Sequence, residues 1–236
     1  MNFRAAIFST SWLLLLTQVI AQRVTKMFKN PLDSDFYPFQ RMVVERRYTG
    51  RVYLGAVNRL YQFSADLDKQ AVFETGPVDD SPDCASSGVC DFVKKHSTDN
   101  YNKAMTLYEK ANKLIVCGSV RQGACRLHNV YNVSSLDPPI SEAVVANDKD
   151  SSSVVFVAPG PPDPPTTEVL NVASTYTDSG PFRDEVPAVA TLSLQPENLF
   201  KIAHRNINSE SQVLMERSKR KLYRIEYVYG FASGNY

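Results

Sequence analysis

The sequence lacks a surplus of charge of either sign. It has 26 Lys and Arg residues against 25 Asp and Glu residues, with a formal net charge of +1. Proteins that bind nucleic acid or an anionic membrane surface usually carry a clear basic excess, because they neutralise phosphate groups. The balance therefore argues against nucleic acid and against a lipid surface as the main partner.

The sequence also lacks the motifs that carry common catalytic chemistry. It contains no nucleophile elbow, no phosphate-binding loop and no metalloprotease helix. Acidic residues at 79–80 and 148–150 stand in turn-like stretches without the ligand spacing of a calcium loop. We therefore predict that the protein is not an enzyme and that it has no catalytic residue, no cofactor and no metal.

Long apolar runs are missing except near the start. Residues 1–21 combine a basic Arg4, an apolar stretch at 5–16 and a small-residue ending at Ala21. This order is typical of a secretory signal peptide and is too short for a membrane span. We predict that the mature chain begins near Gln22 and enters the secretory pathway. Without Arg4, 25 of the 26 basic residues remain, so that they equal the 25 acidic ones.

Cysteine is scarce, with four residues in the chain. Because a predicted signal peptide precedes them, we interpret the four cysteines as two disulfides. Four cysteines allow three disulfide pairings, and the sequence leaves all three open. The pairs Cys84 with Cys90 and Cys117 with Cys125 are favoured because both are local. Zinc is the alternative, but the spacings do not suit a zinc knuckle. The three histidines are interpreted as surface or turn residues: His96, His128 and His204.

One glycosylation sequon was found, Asn132-Val133-Ser134. It follows a predicted hairpin, where a loop would bring Asn132 to the surface. We predict that this asparagine is glycosylated.

The strand pattern centres on residues 113–130. An apolar run, a glycine, a polar turn and a returning arm predict a β-hairpin that the second cysteine pair closes. Residues 51–64 repeat this plan. Further strands are predicted at 105–108, 153–158, 169–176, 188–194 and 222–231, while 74–83 and 97–104 are interpreted as surface turns and 159–165 as a proline-rich loop. One helical turn and a loop are predicted for 196–215.

The recurrence of hairpins predicts an all-β protein, and blades of a propeller are favoured over a sandwich. Propellers typically need about four to eight blades, whereas the chain supplies about three to four. We expect a truncated domain with exposed strand edges. The predicted division is a signal peptide at 1–21, an extended lead-in at 22–47 and the truncated β-domain at 48–236.

Several stretches resemble, in the same order, the opening of a plexin sema domain. They are VYLGAVNRLYQFSADL at 52–67, TGPVDDSPDC at 75–84, STDNYNKAMTL at 97–107, LIVCGSVRQGAC at 114–125, VVAND at 144–148 and YRIEYVYGFASGNY at 223–236. The resemblance is weakest between residues 159 and 207. It implies a partial seven-bladed β-propeller and local pairing of both cysteine pairs.

The resemblance implies the extracellular part of a semaphorin receptor that acts in axon guidance and cell migration. Its partners would be a semaphorin and, in a receptor homo-oligomer, a second copy. The receptor would be anchored by a membrane helix that this chain lacks, at the extracellular side of the plasma membrane. Ligand contacts would lie in the region 175–205. No individual binding residue is assigned there, because Lys201, His204 and Arg205 are equally typical of a solvated loop.

Two alternatives stay open. The sema domain of a hepatocyte-growth-factor-receptor-like tyrosine kinase shares TGPV and CGS patterns, although the stretch Gly55-Ala56-Val57-Asn58 is more similar to plexins. A secreted sema fragment without a signalling role is the other alternative.

Overall fold

The computed structural model describes residues 26–28, 38–160, 167–184, 186–206 and 209–233. Within these ranges the chain is all-β, with thirteen strands in four antiparallel sheets. The signal peptide predicted at 1–21 and most of the proline-rich stretch at 159–165 lie outside the described residues.

Sheet I contains the first predicted hairpin. Its strand order is β1-β2-β3-β4, with the bounds Phe39–Val44, Val52–Ala56, Arg59–Phe63 and Lys69–Glu74. Ala56 pairs with Arg59, so a two-residue turn joins β2 to β3, and Asn58 adopts a left-handed conformation with φ of 61°. The hairpin predicted at 51–64 is confirmed. Strand β1 comes from the predicted lead-in, so sheet I begins before residue 48.

Sheet III contains the second hairpin and has the order β7-β8-β9, with the bounds Asn102–Tyr108, Lys113–Gly118 and Cys125–Asn129. The apolar arm Leu114 to Cys117 is buried on both faces, as its unbroken run predicted. The strand at 105–108 is also confirmed. It begins earlier than predicted, because Asn102, Lys103 and Ala104 are buried strand residues rather than part of a polar turn.

Sheet IV has the order β10-β11-β12-β13, with the bounds Ser153–Pro159, Glu168–Ser174, Val189–Ser193 and Gln212–Val213. Its first three strands match the predictions. The small sheet II pairs β5, Val78–Asp80, with β6, His96–Thr98. The prediction that 74–83 is a surface turn was wrong for Val78–Asp80, since three residues on each side form a short ladder.

Among the described residues, the helical elements are short turns with the bounds Glu109–Ala111, Val120–Gly123, Pro181–Arg183, Pro196–Asn198 and Arg217–Arg220. The turn predicted within 196–215 is therefore present. In the part of the chain that the structure describes, none of these turns has the length and apolar character of a membrane span.

The core lies between successive sheets. Tyr53 and Leu60 of sheet I pack with Leu114 and Val116 of sheet III. The opposite face of sheet III packs on sheet IV through residues from both, namely Ile115, Cys117, Leu127, Val155, Leu170, Val172 and Leu192. Sheet III is therefore covered on both faces, which explains why β8 has no polar face.

The turn between β8 and β9 is held by a buried network. Arg121 and Gln122 are both left-handed, with φ of 52° and 62°, a conformation that costs free energy in a non-glycine residue. The side-chain amide of Gln122 donates to the carbonyls of Pro82 and Cys84, at 2.8 and 2.7 Å. Arg183 donates to the carbonyl of Gln122 at 2.7 Å. These bonds hold the strained turn against the Cys84 loop.

Two sequence interpretations are corrected here. His128 is 1% exposed rather than a surface residue, because its ring packs edge-on against Phe73. Apolar and polar residues alternate in 222–231 as in a strand, but the segment forms no strand. Backbone groups of this segment form hydrogen bonds with side chains instead of with a neighbouring strand. The hydroxyl of Thr175 donates to the carbonyl of Ile225 at 2.6 Å, and the amide of Tyr227 donates to the hydroxyl of Ser152 at 2.6 Å.

Candidate protein-binding surface

The cysteines stand in two disulfides. The bond Cys84–Cys90 closes a loop with a Cα separation of 5.5 Å. The bond Cys117–Cys125 joins residues that face each other directly across β8 and β9. The second bond lies in the core between sheets III and IV, whereas the first joins the buried Cys84 to the partly exposed Cys90. Both are placed to hold loops and strands in position rather than to react.

The sequon lies in an exposed turn after β9. Asn132 and Ser134 are exposed, and Val133 between them is fully buried. The side-chain oxygen of Asn132 accepts a hydrogen bond from the amide of Ser134 at 3.0 Å. The asparagine is thus fixed on the surface by its buried neighbour.

The region proposed for ligand contacts, 175–205, borders an open cleft of about 910 Å³ beside the short edge strand β13. Lys201 and Arg205 line this cleft and are exposed, and Phe200 and Leu192 form part of its apolar floor. His204 is exposed but does not line the cleft. Within the predicted region, the structure therefore places Lys201 and Arg205 at one cleft and His204 outside it.

Charges of both signs surround the cleft. The guanidinium of Arg205 pairs with Glu210 at 2.8 Å. On the other side, Asp184 pairs with Arg220 at 2.9 Å and with Arg217. The Arg220 side chain is largely buried, whereas Arg205 and Arg217 are exposed. Charged groups at a surface form a pattern that a protein partner can match.

His204 shapes the loop next to the cleft. Its amide donates to the hydroxyl of Ser211 at 3.1 Å, and its carbonyl accepts from the amide of Ser211 at 2.9 Å. Its ring contacts the side-chain amide of Asn206 at 3.0 Å. His204 thus positions the loop that carries Arg205.

An exposed apolar strip lies in the segment 222–231, which contacts Ser152 and Thr175. Val228 is 91% exposed and Tyr229 is 80% exposed, with Leu222, Tyr223 and Phe231 also exposed. Sequence reasoning assigned these residues to a strand and so missed them as surface residues. Clustered exposed apolar residues of this size mark an interaction surface.

The comparisons with known proteins identify plexins as relatives. The chain is 31% identical over 222 residues to mouse Plexin-A4, a match that covers 84% of this chain and 11% of the relative. It is 38% identical over 118 residues to human Plexin-B3, covering 48% of this chain and 6% of that protein. A scan against protein-family models finds no match.

The fold comparison agrees. The solved structure of the full extracellular region of plexin A4 matches with a TM-score of 0.70 and 26% identity, covering 83% of this chain and 22% of that one. The chain thus spans only about a tenth of the length of Plexin-A4. By sequence and by fold, it is plexin-related and corresponds to part of the plexin extracellular region.

Proposed function

We propose that the chain is the ligand-binding part of a plexin-like semaphorin receptor and acts in semaphorin signalling during axon guidance and cell migration. The observation that carries this proposal is the match to the plexin A4 extracellular region over 83% of the chain. A binding role also fits the structure, since the candidate surface offers an open cleft with paired charges.

The proposed architecture is a signal peptide at 1–21, a lead-in from residue 22 and a sema-type β-propeller. The propeller begins before the predicted boundary at residue 48, because β1, Phe39–Val44, belongs to sheet I. The serial packing of sheets I, III and IV, with one core between each neighbouring pair, supports blades arranged one after another. The number of blades remains part of the proposal. The corresponding location is the extracellular side of the plasma membrane.

The proposed ligand surface is the cleft beside β13. Lys201 and Arg205 would meet acidic residues of the semaphorin, while the apolar floor at Phe200 would be covered. Charged residues at the rim of an interface steer association and fix its register. The surface therefore predicts charge-dependent binding.

Surface plasmon resonance of the secreted chain against a panel of semaphorin ectodomains tests the proposal. We expect saturable binding to at least one semaphorin and at least tenfold weaker binding of the double variant Lys201→Glu, Arg205→Glu. Arg47→Glu is the matched control, because Arg47 is an exposed cation beside sheet I with one weak ion pair of 3.4 Å. Its binding should equal that of the unmodified chain.

Two results would overturn parts of the proposal. If the folded, disulfide-bonded chain binds no semaphorin in the panel, the receptor function is rejected. If the double variant binds as tightly as the control, the ligand surface lies elsewhere.

We also propose that Asn132 carries an N-linked glycan, because its side chain is exposed in the turn after β9. Treatment of the secreted chain with an N-glycosidase should lower its mass by one glycan. Asn132→Gln should have the lower mass from the start. An unmodified peptide containing Asn132 in the secreted product would refute this assignment.

A further inference from the structure

A dense run of positive charge follows sheet IV. It reads Arg217-Ser218-Lys219-Arg220-Lys221 and contains the short turn Arg217–Arg220, here called the basic turn. A run of like charge is usually only a solvated surface. In this run, however, the cations stand in a particular order, because a lysine directly precedes Arg220 and a second arginine stands three residues before it. The order makes the basic turn a candidate recognition sequence.

This order matches the substrates of subtilisin-like endoproteases of the secretory pathway. Such a protease binds an arginine before the scissile bond in a pocket that contains a carboxylate, and further acidic groups bind cations one and three residues earlier. Arg220, Lys219 and Arg217 stand at these three positions. Both disulfides of the chain are formed, and disulfides belong to the oxidising compartments in which these proteases act. The bond that such a protease would cleave joins Arg220 to Lys221.

The chain around this bond is accessible and weakly held. Ser218, Lys219 and Lys221 are exposed, and the side chain of Arg217 is 80% exposed. Residues 217–231, all of which the structure describes, belong to no sheet. A protease binds its substrate in an extended form, and a single exposed turn opens at a lower free-energy cost than a strand within a sheet.

The side chain of Arg220 is the part of the sequence that is not accessible. It is only 8% exposed, and its guanidinium donates to the carboxylate of Asp184 at 2.9 Å and to the carbonyl of Met215 at 2.7 Å. It also lies over the ring of Tyr176, at 5.1 Å from the centroid. A protease can bind Arg220 only after it leaves these partners, so the population of the opened turn sets the rate of cleavage.

We propose that the peptide bond between Arg220 and Lys221 is a processing site for a subtilisin-like endoprotease that is specific for basic residues, and that Asp184 slows cleavage by holding Arg220. Water adds across the C–N bond, which leaves a carboxylate on Arg220 and a new α-amino group on Lys221. The cut separates the exposed apolar strip at 222–231 from the backbone of sheet IV. The proposal rests on the secretory location proposed above and is independent of semaphorin binding.

Incubation of the purified, disulfide-bonded chain with furin, followed by mass spectrometry of the products, tests this proposal. The chain is secreted in the presence of a chloromethylketone inhibitor of furin, which is then removed, so that the chain starts intact. We expect one early cut, which gives a product that ends at Arg220 and the peptide 221–236. A chain that furin leaves intact would overturn the proposal.

Two exposed basic pairs serve as internal controls in the same experiment. They are Arg46-Arg47 and Lys94-Lys95, and both lack a cation three residues before their second member. Furin should leave both pairs intact while it cuts after Arg220. If either pair is cut as fast as Arg220, general accessibility explains the cleavage and the recognition sequence is rejected.

Arg217→Gln separates recognition from access. The variant removes one recognition cation, but it also removes one of the two arginines that Asp184 binds. Recognition predicts roughly tenfold slower cleavage by furin, whereas a purely structural role of Arg217 predicts faster cleavage. Trypsin requires only the cation before the bond and should cut the variant within residues 219–222 at least as fast as the unmodified chain. Unchanged or faster cleavage of the variant by furin would overturn the assigned protease class.

Asp184→Asn tests the control of access. Furin should cut this variant several-fold faster, because Arg220 loses its carboxylate partner. Asp178→Asn is the matched control, since Asp178 pairs at 2.7 Å with the exposed Lys221 on the other side of the bond, and an exposed pair holds the segment weakly. The control should be cut at the rate of the unmodified chain. An unchanged rate in a folded Asp184→Asn chain would overturn the role of Asp184, and if this variant does not fold, Asp184→Glu replaces it with the opposite expectation of a nearly unchanged rate.

Discussion

The side chain of Asn100 lies against Gly118, so closely that a Cβ at residue 118 would stand 2.0 Å from Oδ1 of Asn100. Asn102 lies in the same way against Gly55, where a Cβ would stand 2.4 Å from its amide group. The two glycines are those of the two predicted hairpins. The glycine has the same structural role in both hairpins, because in each the missing side chain leaves room for an asparagine between sheets I and III.

Replacing Gly118 with alanine should destabilise the protein by about 1–3 kcal/mol, since the added methyl group overpacks a buried position. Urea unfolding of Gly118→Ala, Asn100→Ala and the double variant measures the coupling. We expect the double variant to be less destabilised than the sum of the two single variants. If the two changes in the free energy of unfolding are additive, the contact between residues 100 and 118 is not the cause of the destabilisation by Gly118→Ala.

Glu45 predicts a pH dependence of stability. The hydroxyl of Thr49 donates to its carboxylate at 2.6 Å, and the amides of Arg47, Tyr48 and Thr49 also donate to it. These bonds lower the pKa of Glu45 from 4.5 to about 2. Because the folded pKa is the lower one, the stabilisation is present above about pH 4.5 and is lost as the pH falls through about 2.

Chemical unfolding between pH 2 and 6 checks this expectation. Glu45→Gln should unfold more easily at pH 6 and should lose less stability than the unmodified chain as the pH falls toward 2. Glu197→Gln is the control, since Glu197 is exposed on a surface turn. A Glu45→Gln profile parallel to that of the unmodified chain would contradict the assignment.

The two disulfides should differ in their effect on stability. Replacing Cys117 and Cys125 together with alanine should cost about 2–3 kcal/mol from the lost loop constraint, and more from the buried volume removed. Replacing Cys84 and Cys90 should cost less, because Cys90 is only partly buried. Urea unfolding of the two double variants gives the comparison.

Peptide mass mapping of the unmodified chain should find both local bonds, and Cys84 joined to Cys117 or Cys125 would refute the pairing.

Much of the fold could be predicted because its signals are local. The apolar run before Gly118 and the turn at Asn58 identify both hairpins within a few residues. Sheet II was missed because Val78–Asp80 and His96–Thr98 are only three residues long, are mostly polar and pair across an intervening loop. The burial of His128 depends on Phe73, which comes from another sheet. The cleft between sheets I and III was beyond prediction for the same reason, since it is lined by residues such as Phe73 and Val116 that only the packing of the two sheets brings together.

Residues 222–231 show why alternation alone does not predict a strand. The pattern indicates which side chains could share a face, but a strand also requires a neighbouring backbone with free hydrogen-bonding groups. Here the side chains of Ser152 and Thr175 bind the segment instead. The segment therefore stays at the surface, and its apolar residues remain exposed.

This exposure predicts self-association of the secreted chain. Val228→Ser combined with Tyr229→Ser should increase the monomer fraction measured by size-exclusion chromatography with light scattering, because it removes the two most exposed residues of the strip. The melting temperature should hardly change, since exposed side chains contribute little to stability. Met42→Ser is the matched control, because Met42 is 66% exposed on sheet I, away from the strip. If the unmodified chain is a monodisperse monomer, or if the control raises the monomer fraction equally, residues 222–231 are not the surface through which copies associate.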